Sequence, residues 1–273
     1  MRALIDGDVL VYRIGFASEK TLYWIDYGDG IEVSFRSAKE AREWGVIRDT
    51  EIDSMPLSFA IELLNNTIDK ILEDTKSDEY TLYLTGKGNF REGVAKTIPY
   101  KGNRSGKKPV HYQALRDYMI DELDAVLVEG QEADDEIASS QTRDTVICSI
   151  DKDLWMVPGK HYDIATGRKV LAKDPGGLKL EGKKILGTGF VWFCAQMLLG
   201  DRVDNIKGIN GLGPVKVYKL LESKKHSVKL AWRRVKAIYK MHGQLDRLEE
   251  SAVLLWMRRE KDQHPYDFIK ENT

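Results

Sequence analysis

Acidic residues gather at the ends of apolar segments in this chain. Glu132-Ala133-Asp134-Asp135, Asp151-Lys152-Asp153 and Asp201-Arg202-Val203-Asp204 each follow an apolar strand-like or helix-like stretch, and Asp6 and Asp8 close another. An alternating α/β chain aims the side chains at its strand ends into one crevice. Acids brought together in that way repel one another and hold their protons unless positive charge lies among them. The pattern therefore demands a fold that converges these segments and a cation that makes the convergence tolerable.

Each cluster has an ordinary explanation when taken singly. Acids in the first turn of a helix complement its dipole, a strand-end Asp151 caps the next turn, and Asp201 with Asp204 can simply form a turn. Glu132 and Asp135, three apart, share a helix face, with Asp134 beside them. Asp153 lies two residues beyond Asp151 and points the same way if the chain stays extended. Recurrence at successive element ends favours metal. Magnesium takes about six oxygen ligands at ~2.0–2.1 Å and keeps several waters, so many carboxylates serve it indirectly. Two such ions ~3.5–4 Å apart activate a water and stabilise a departing oxygen, which points to phosphodiester cleavage. The five histidines, His111, His161, His226, His242 and His264, are scattered, which disfavours zinc.

Charge distribution fits a polyanionic partner. The net charge of −1 hides two basic segments: residues 86–110 carry seven Lys/Arg against Glu92, and residues 202–240 carry eleven against Asp204 and Glu222. A solvated face is the usual meaning of one basic run; two runs flanking an acidic centre suit a chain held by its phosphates. With 273 residues, 42% hydrophobic and 31% charged, the composition is that of a globular protein able to bury a full core. No apolar run reaches the ~18–20 residues of a membrane span. Met1 to Asp8 reads directly as a strand without a secretory leader, and Cys148 and Cys194 read as reduced core residues. The cytoplasm is the expected compartment.

Periodicity predicts strands over residues 2–5, 80–84, 125–128 and 145–150, and helices over 9–17, 37–44, 57–72, 110–121 and 133–139. Hairpins are expected around Tyr27-Gly28-Asp29-Gly30 and Ala165-Thr166-Gly167. This order predicts an α/β fold with a mainly parallel sheet flanked by helices. Beyond Gly187 only helices are expected, over 190–199, 214–221, 228–241 and 245–259, the first apolar all round and so buried. The tail from Lys261 is expected to dock loosely. The expected division is a nuclease core over 1–187, with a basic arch near 86–110, and a helical part over 188–273.

Residues 208–214, Gly-Ile-Asn-Gly-Leu-Gly-Pro, lack the preceding strand of a dinucleotide-binding loop. A helix–hairpin–helix fits them better: Gly211 and Gly213 permit a tight turn, Pro214 suits the first helical position, and exposed N–H groups there bind phosphate. Lys207, Lys216 and Lys219 flank it. In the other basic run, Arg91, Lys101, Arg104, Lys107 and Lys108 offer phosphate contacts and Tyr100 a stacking surface for a terminal base. A flexible solvated loop is the plainer reading of that run.

Together these motifs resemble the 5′-nuclease (flap endonuclease) superfamily, and most of all the stand-alone 5′→3′ exonucleases of tailed phages. Asp6-Gly7-Asp8 with Tyr12-Arg13, Phe90-Arg91, Tyr100-Lys101-Gly102-Asn103-Arg104, Glu132 to Asp135, Asp151-Lys152-Asp153-Leu154, Gly200 to Ile206 and Gly211 to Pro214 occur in the family's order over residues 1–222. The resemblance implies magnesium held by Asp6, Glu132, Asp134, Asp135, Asp151, Asp153, Asp201 and Asp204, in two or more ions for which manganese can substitute. It implies a basic gateway of Arg91, Lys101 and Arg104 for a free 5′ strand, and duplex DNA held at the hairpin, in some members with a potassium ion. Substrates would be DNA with a free 5′ end, flap or nick, and RNA 5′ ends of RNA–DNA hybrids. The protein would act as a monomer, in the host cytoplasm if phage-encoded. Thr85-Gly86 stands where the family carries an aspartate, and Asp8 is a candidate replacement ligand. Residues 21–44 match no motif. A PIN-like ribonuclease, and a DNA-structure-binding protein with a degenerate metal site, are the alternatives.

Overall fold

Strand Arg2–Asp6 buries Ala3, Leu4, Ile5 and Asp6 in succession, the run expected of a parallel strand covered on both faces. It lies inside a six-stranded sheet in the order Val126–Val128, Glu79–Thr85, Arg2–Asp6, Thr145–Ser149, Gly159–Asp163 and Lys169–Ala172. All neighbours are parallel except the last pair, which forms the expected hairpin. From Arg2–Asp6 the chain builds outward to one side, then returns to pair Thr145–Ser149 on the other, with Ile5 in register with both Leu82 and Cys148. That reversal is a topological switch point, where open parallel sheets leave a crevice beyond their carboxyl ends. Asp6 ends one of the two strands flanking it, and Asp151 follows the other by two residues.

The computed structural model describes residues 1–28, 30–104, 106–223 and 227–272. Asp29 of the expected turn, Ser105 of the basic run and His226 lie outside the described residues. The chain forms two compact units: Met1–Gly7, Ile71–Gly106 and Ala125–Thr273 make the first, Asp8–Lys70 and Lys107–Asp124 the second.

The first unit holds the six-stranded sheet and the C-terminal helices. Helix Gly189–Leu199 buries every residue from Gly189 to Leu198, so it needs cover on all sides. Phe193 meets Trp256 edge-on at 5.0 Å, and Tyr239 donates its hydroxyl to the Met197 carbonyl at 2.8 Å. For this reason the compact division does not fall at residue 188. Nor is the chain beyond Gly187 purely helical, since Gly200–Asp201 pairs with Ile206–Lys207; just before it, Gly177–Glu181 pairs with Lys184–Thr188. Helices Pro214–Leu221 and Val228–Met241 lie where periodicity puts them. The expected helix over 245–259 is a 3₁₀ turn, Leu245–Arg247, followed by the shorter Leu248–Leu255. The tail does not dock loosely, because Pro265–Asn272 buries Ile269 and sets Phe268 5.2 Å from Trp256.

In the second unit, strands Glu32–Phe35, Glu19–Asp26 and Ile47–Ser54 form an antiparallel sheet in that order. Helix Ala38–Trp44 carries the expected Ser37 cap. Strand Ile47–Ser54 escaped the periodicity reading because nearly all of it is exposed and it offers no apolar alternation. Helix Leu57–Thr75 runs from this unit into the first, and Asn65 bonds Tyr118 of helix Tyr112–Asp121 at 3.1 Å. Among the described residues no helix is long and apolar enough to cross a membrane. Cys148 and Cys194 are free and buried.

His161, 3% exposed on strand Gly159–Asp163, places Nε2 2.7 Å from the Val157 carbonyl, while its buried Nδ1 has no partner. Burial holds it down at about 4, against an ordinary 6.5. As pH falls, the unfolded chain takes this proton first, so stability present above pH 6.5 is lost on the way to pH 4. Between pH 7 and pH 5 the loss should be about 2 kcal/mol. Urea unfolding of wild type and His161→Gln at both pH values tests this. The variant should lose less stability than wild type, and equal losses would refute the assignment.

Candidate metal centre and its basic flank

The centre is built from strand ends upward. Ser149 donates its hydroxyl to Asp6 Oδ2 at 2.7 Å and accepts from the Asp151 amide at 3.0 Å, so one serine ties together the ends of both switch-point strands. Gly7 lets the chain leave Asp6 against its neighbour, since a Cβ there would lie 2.7 Å from the Tyr83 carbonyl. The acidic helix Ala133–Ser139 is anchored on the same edge. Its Ala133 amide donates to Thr85 Oγ1 at 3.0 Å, and Glu132 occupies the cap position, 7% exposed. Thr85 thus fixes the helix that carries Asp134.

Asp151 caps the 3₁₀ turn Lys152–Met156 through the Asp153 amide at 2.8 Å. Asp153, 6% exposed, is gripped from the buried helix by Gln196 Nε2. Asp201 is set by the short ladder. Gly200 has φ +70°, and a Cβ on it would fall 2.2 Å from the Gly208 amide. Asp201 Oδ1 then accepts from Val203 N at 2.6 Å and Asp204 N at 3.2 Å.

Mutual repulsion is written into the proton affinities. Burial, then the charges of Asp6, Asp151 and Glu132, push Asp134 well above the usual carboxylate range. Burial also raises Asp151, against its bond from Asp153 and the charge of Lys152, with Asp204 and Asp201 adding to the rise. Asp153 rises to about 7 through burial and Asp151. Asp201 goes the other way: burial opposes ionisation, but Lys152 and the Asp204 and Val203 amides prevail and lower it. Lys152 spans two acids, 2.8 Å from Asp153 Oδ1 and 3.2 Å from Asp201 Oδ2.

Lys101 and Arg104 face the same acids. Lys101 pairs with Glu132 and lies 3.9 Å from Asp204; Arg104, half exposed, is 2.6 Å from Asp204 Oδ1. Lys101 has φ +54° and Asn205 φ +60°, a conformation kept by the bonds between their turns. The Lys101 amide donates to the Asp204 carbonyl at 3.0 Å, Asn205 Nδ2 to the Pro99 carbonyl at 2.9 Å, and Asn103 Nδ2 to the Arg202 carbonyl at 2.7 Å.

Three expectations change. Tyr100 is only 9% exposed, its hydroxyl 2.8 Å from Asp204 Oδ2 and 3.1 Å from Glu132 Oε2, so it presents no ring face to a base. Arg91 is wholly buried. Its guanidinium clasps Asp135 with both terminal nitrogens and donates to the Leu254 and Trp256 carbonyls at 3.0 and 2.8 Å, so it neither lines a gateway nor leaves Asp135 free for a metal. Asp8 lies in the second unit, ion-paired with Arg116 at 2.6 Å. Lys107 and Lys108 are exposed in that unit too, with Lys108 4.1 Å over the Tyr112 ring.

At residues 208–214, Gly211 has φ +78° and Gly213 is the extended cap of Pro214–Leu221, with Pro214 at its start. Lys207, Lys216 and Lys219 are exposed, and Lys216 reaches the Gly211 carbonyl at 2.9 Å. Sequence reasoning missed Ser149, Gln196 and the pairing of Lys152. Only Lys152, set between two aspartates, carried a signal.

Among the described residues no three acid, histidine or cysteine side chains are already gathered tightly enough to cage an ion. The donor set nevertheless fits a hard divalent cation. It is all oxygen, and Asp134 Oδ1 is buried without any hydrogen-bond partner, an arrangement that costs stability unless a cation or its water answers it.

No protein-family model matches the chain. Among solved structures, a mutant 5′-exonuclease of bacteriophage T5 superposes with a TM-score of 0.50 at 15% identity, over 99% of this chain and 96% of that one. A bacteriophage T5 flap endonuclease in complex with DNA and metal ions gives 0.49 at 14% identity, over 99% and 97%. The T5 5′-exonuclease with zinc gives 0.48 at 15%, over 99% and 98%. The chain has the 5′-nuclease fold. At this identity the likeness is one of architecture, and the mainly parallel sheet flanked by helices agrees with it.

An acid whose proton affinity rises on folding stabilises the fold at low pH and loses that contribution as pH climbs through its folded value. Asp134→Asn should therefore melt higher than wild type in chelator at pH 8, by roughly 3 °C or more, and by a smaller margin at pH 5. Thermal unfolding at the two pH values measures the gap. A variant that melts lower at both would contradict the electrostatic account.

Proposed function

We propose that the protein is a 5′-nuclease: a magnesium-dependent 5′→3′ exonuclease with structure-specific flap endonuclease activity. The observation that carries this reading is the gathering of Asp6, Glu132, Asp134, Asp151, Asp153, Asp201 and Asp204 at one switch-point crevice, with an unanswered buried oxygen on Asp134 and two cations beside it.

Those seven acids are the residues that would hold magnesium, or manganese in its place. When bound, two such ions lower the pKa of an attacking water and stabilise the leaving oxygen. Ser149 keeps Asp6 and Asp151 at adjacent strand ends, and Gln196 fixes Asp153. Lys101 and Arg104 are placed to exchange their acid partners for phosphate oxygens, where fixed positive charge stabilises a growing negative one. The turn at 208–214 acts as the hairpin of a helix–hairpin–helix, its open Gly211 and Gly213 and exposed lysines receiving duplex phosphates without reading bases; a potassium ion at this turn belongs to the same reading. Substrates are duplex DNA with a free 5′ end, flap or nick, and RNA 5′ ends of hybrids. The protein works as a monomer in the cytoplasm.

One observation favours a second reading. Lys101 and Lys152 already neutralise several acids, as a metal-free DNA-structure-binding protein would require. A single gel decides, using 5′-labelled flap, nicked duplex and single-stranded RNA, each with magnesium or chelator. Magnesium-dependent cutting of the flap and of the nicked duplex supports the nuclease. Binding without cutting supports the second reading, and cutting of single-stranded RNA alone would point to a ribonuclease.

A further inference from the structure

Helix Leu248–Leu255 lies beyond the residues whose motifs shaped the functional reading, yet it holds the base of the basic segment. Glu250 Oε1 accepts from the Lys96 and Thr97 amides at 2.8 and 2.7 Å, and Oε2 accepts from the Thr97 hydroxyl at 2.5 Å. Four residues on stands Lys101, and three more reach Arg104. Their far side is pinned by Asn205, Asp204 and Arg202. The segment is therefore a short span fixed at two ends, and Glu250 is the near anchor. Complementing its helix dipole would not explain this geometry: the exposed Glu249 serves that purpose as well, whereas both oxygens of Glu250 are turned onto residues 96 and 97. The same stretch of chain supplies the Leu254 and Trp256 carbonyls to Arg91, and Arg258 lies 3.7 Å over the Phe90 ring, so helix Phe90–Val94 is gripped from the same side.

We propose that Glu250 is a positioning residue for phosphodiester cleavage, setting where Lys101 and Arg104 stand by holding the turn at Lys96 and Thr97. This rests on the nuclease reading. Small misplacement of groups that meet the transition state costs up to about 100-fold in rate, so Glu250→Ala should lower kcat on a 5′-flap about 10- to 100-fold with KM little changed. Glu250→Gln keeps acceptor and reach and should recover most of the rate. The discriminating experiment is a mutant cycle. If Glu250 acts through Lys101 and Arg104, then Glu250→Ala in a background carrying both Lys101→Ala and Arg104→Ala should cost less than about twofold more, because residues acting as one unit do not add. Thr97→Val, which removes one of the three bonds, supplies a milder variant should Glu250→Ala unfold, and its loss should likewise vanish in the background lacking both cations.

Full multiplicative losses in the cycle, with wild type active, would overturn this inference and leave the nuclease reading standing. Failure of wild type to cut any 5′-labelled flap with magnesium would overturn both.

Discussion

Repulsion among carboxylates at the carboxyl ends of the central strands is the constraint on which this structure turns. A parallel sheet that reverses its building direction beside Arg2–Asp6 necessarily opens a crevice there, and acids from four separate stretches of chain are delivered into it. Asp134, Asp151 and Asp153 answer by holding their protons more tightly. Lys101, Arg104 and Lys152 answer with positive charge. Such an arrangement is a poor way to stabilise a fold. It suits the cation site proposed above, since repulsion among clustered acids is relieved by positive charge.

The surroundings are organised to keep that tension in place. Ser149 bridges two strand ends, Thr85 anchors the acidic helix, and Gln196 reaches out from a helix buried on every side. Arg91 and Asp135 form a fully buried pair, which is costly to desolvate and costlier to break singly. Its value here is registry: it locks the start of the basic segment to the acidic helix and to the chain around Leu254 and Trp256.

Much of this was readable from residue order alone. Apolar runs ending in acid identified the central strands, and the one helix apolar on every side was recognisably interior. Asp6, Glu132, Asp134, Asp151, Asp153, Asp201 and Asp204 drew notice because acids recurring at element ends have few other uses, whereas Asp135, named with them, is held by Arg91. What escaped has physical reasons. Tyr100 and Arg91 looked like surface groups because a tyrosine or arginine among lysines in a glycine-bearing run reads as exposed, whereas their burial depends on Glu132, Asp204, Asp135 and two distant carbonyls. Asp8 follows Asp6 by two residues, but the helix that starts at Gly7 gives it to Arg116 instead. Strand Ile47–Ser54 is paired on one side and exposed almost throughout, which leaves no periodic trace. The role of Glu250 lies in contacts more than 150 residues apart in sequence, where local pattern carries no information.

The central claim is best tested by calorimetric titration of magnesium into the wild-type protein, in two buffers of different protonation enthalpy. Crowded carboxyls that hold protons must release them as cations enter. The account predicts saturable binding of at least two ions with proton release at pH 7, lost in Asp151→Asn. Saturable binding that persists unchanged in that variant, or no saturable binding to wild type, would contradict it.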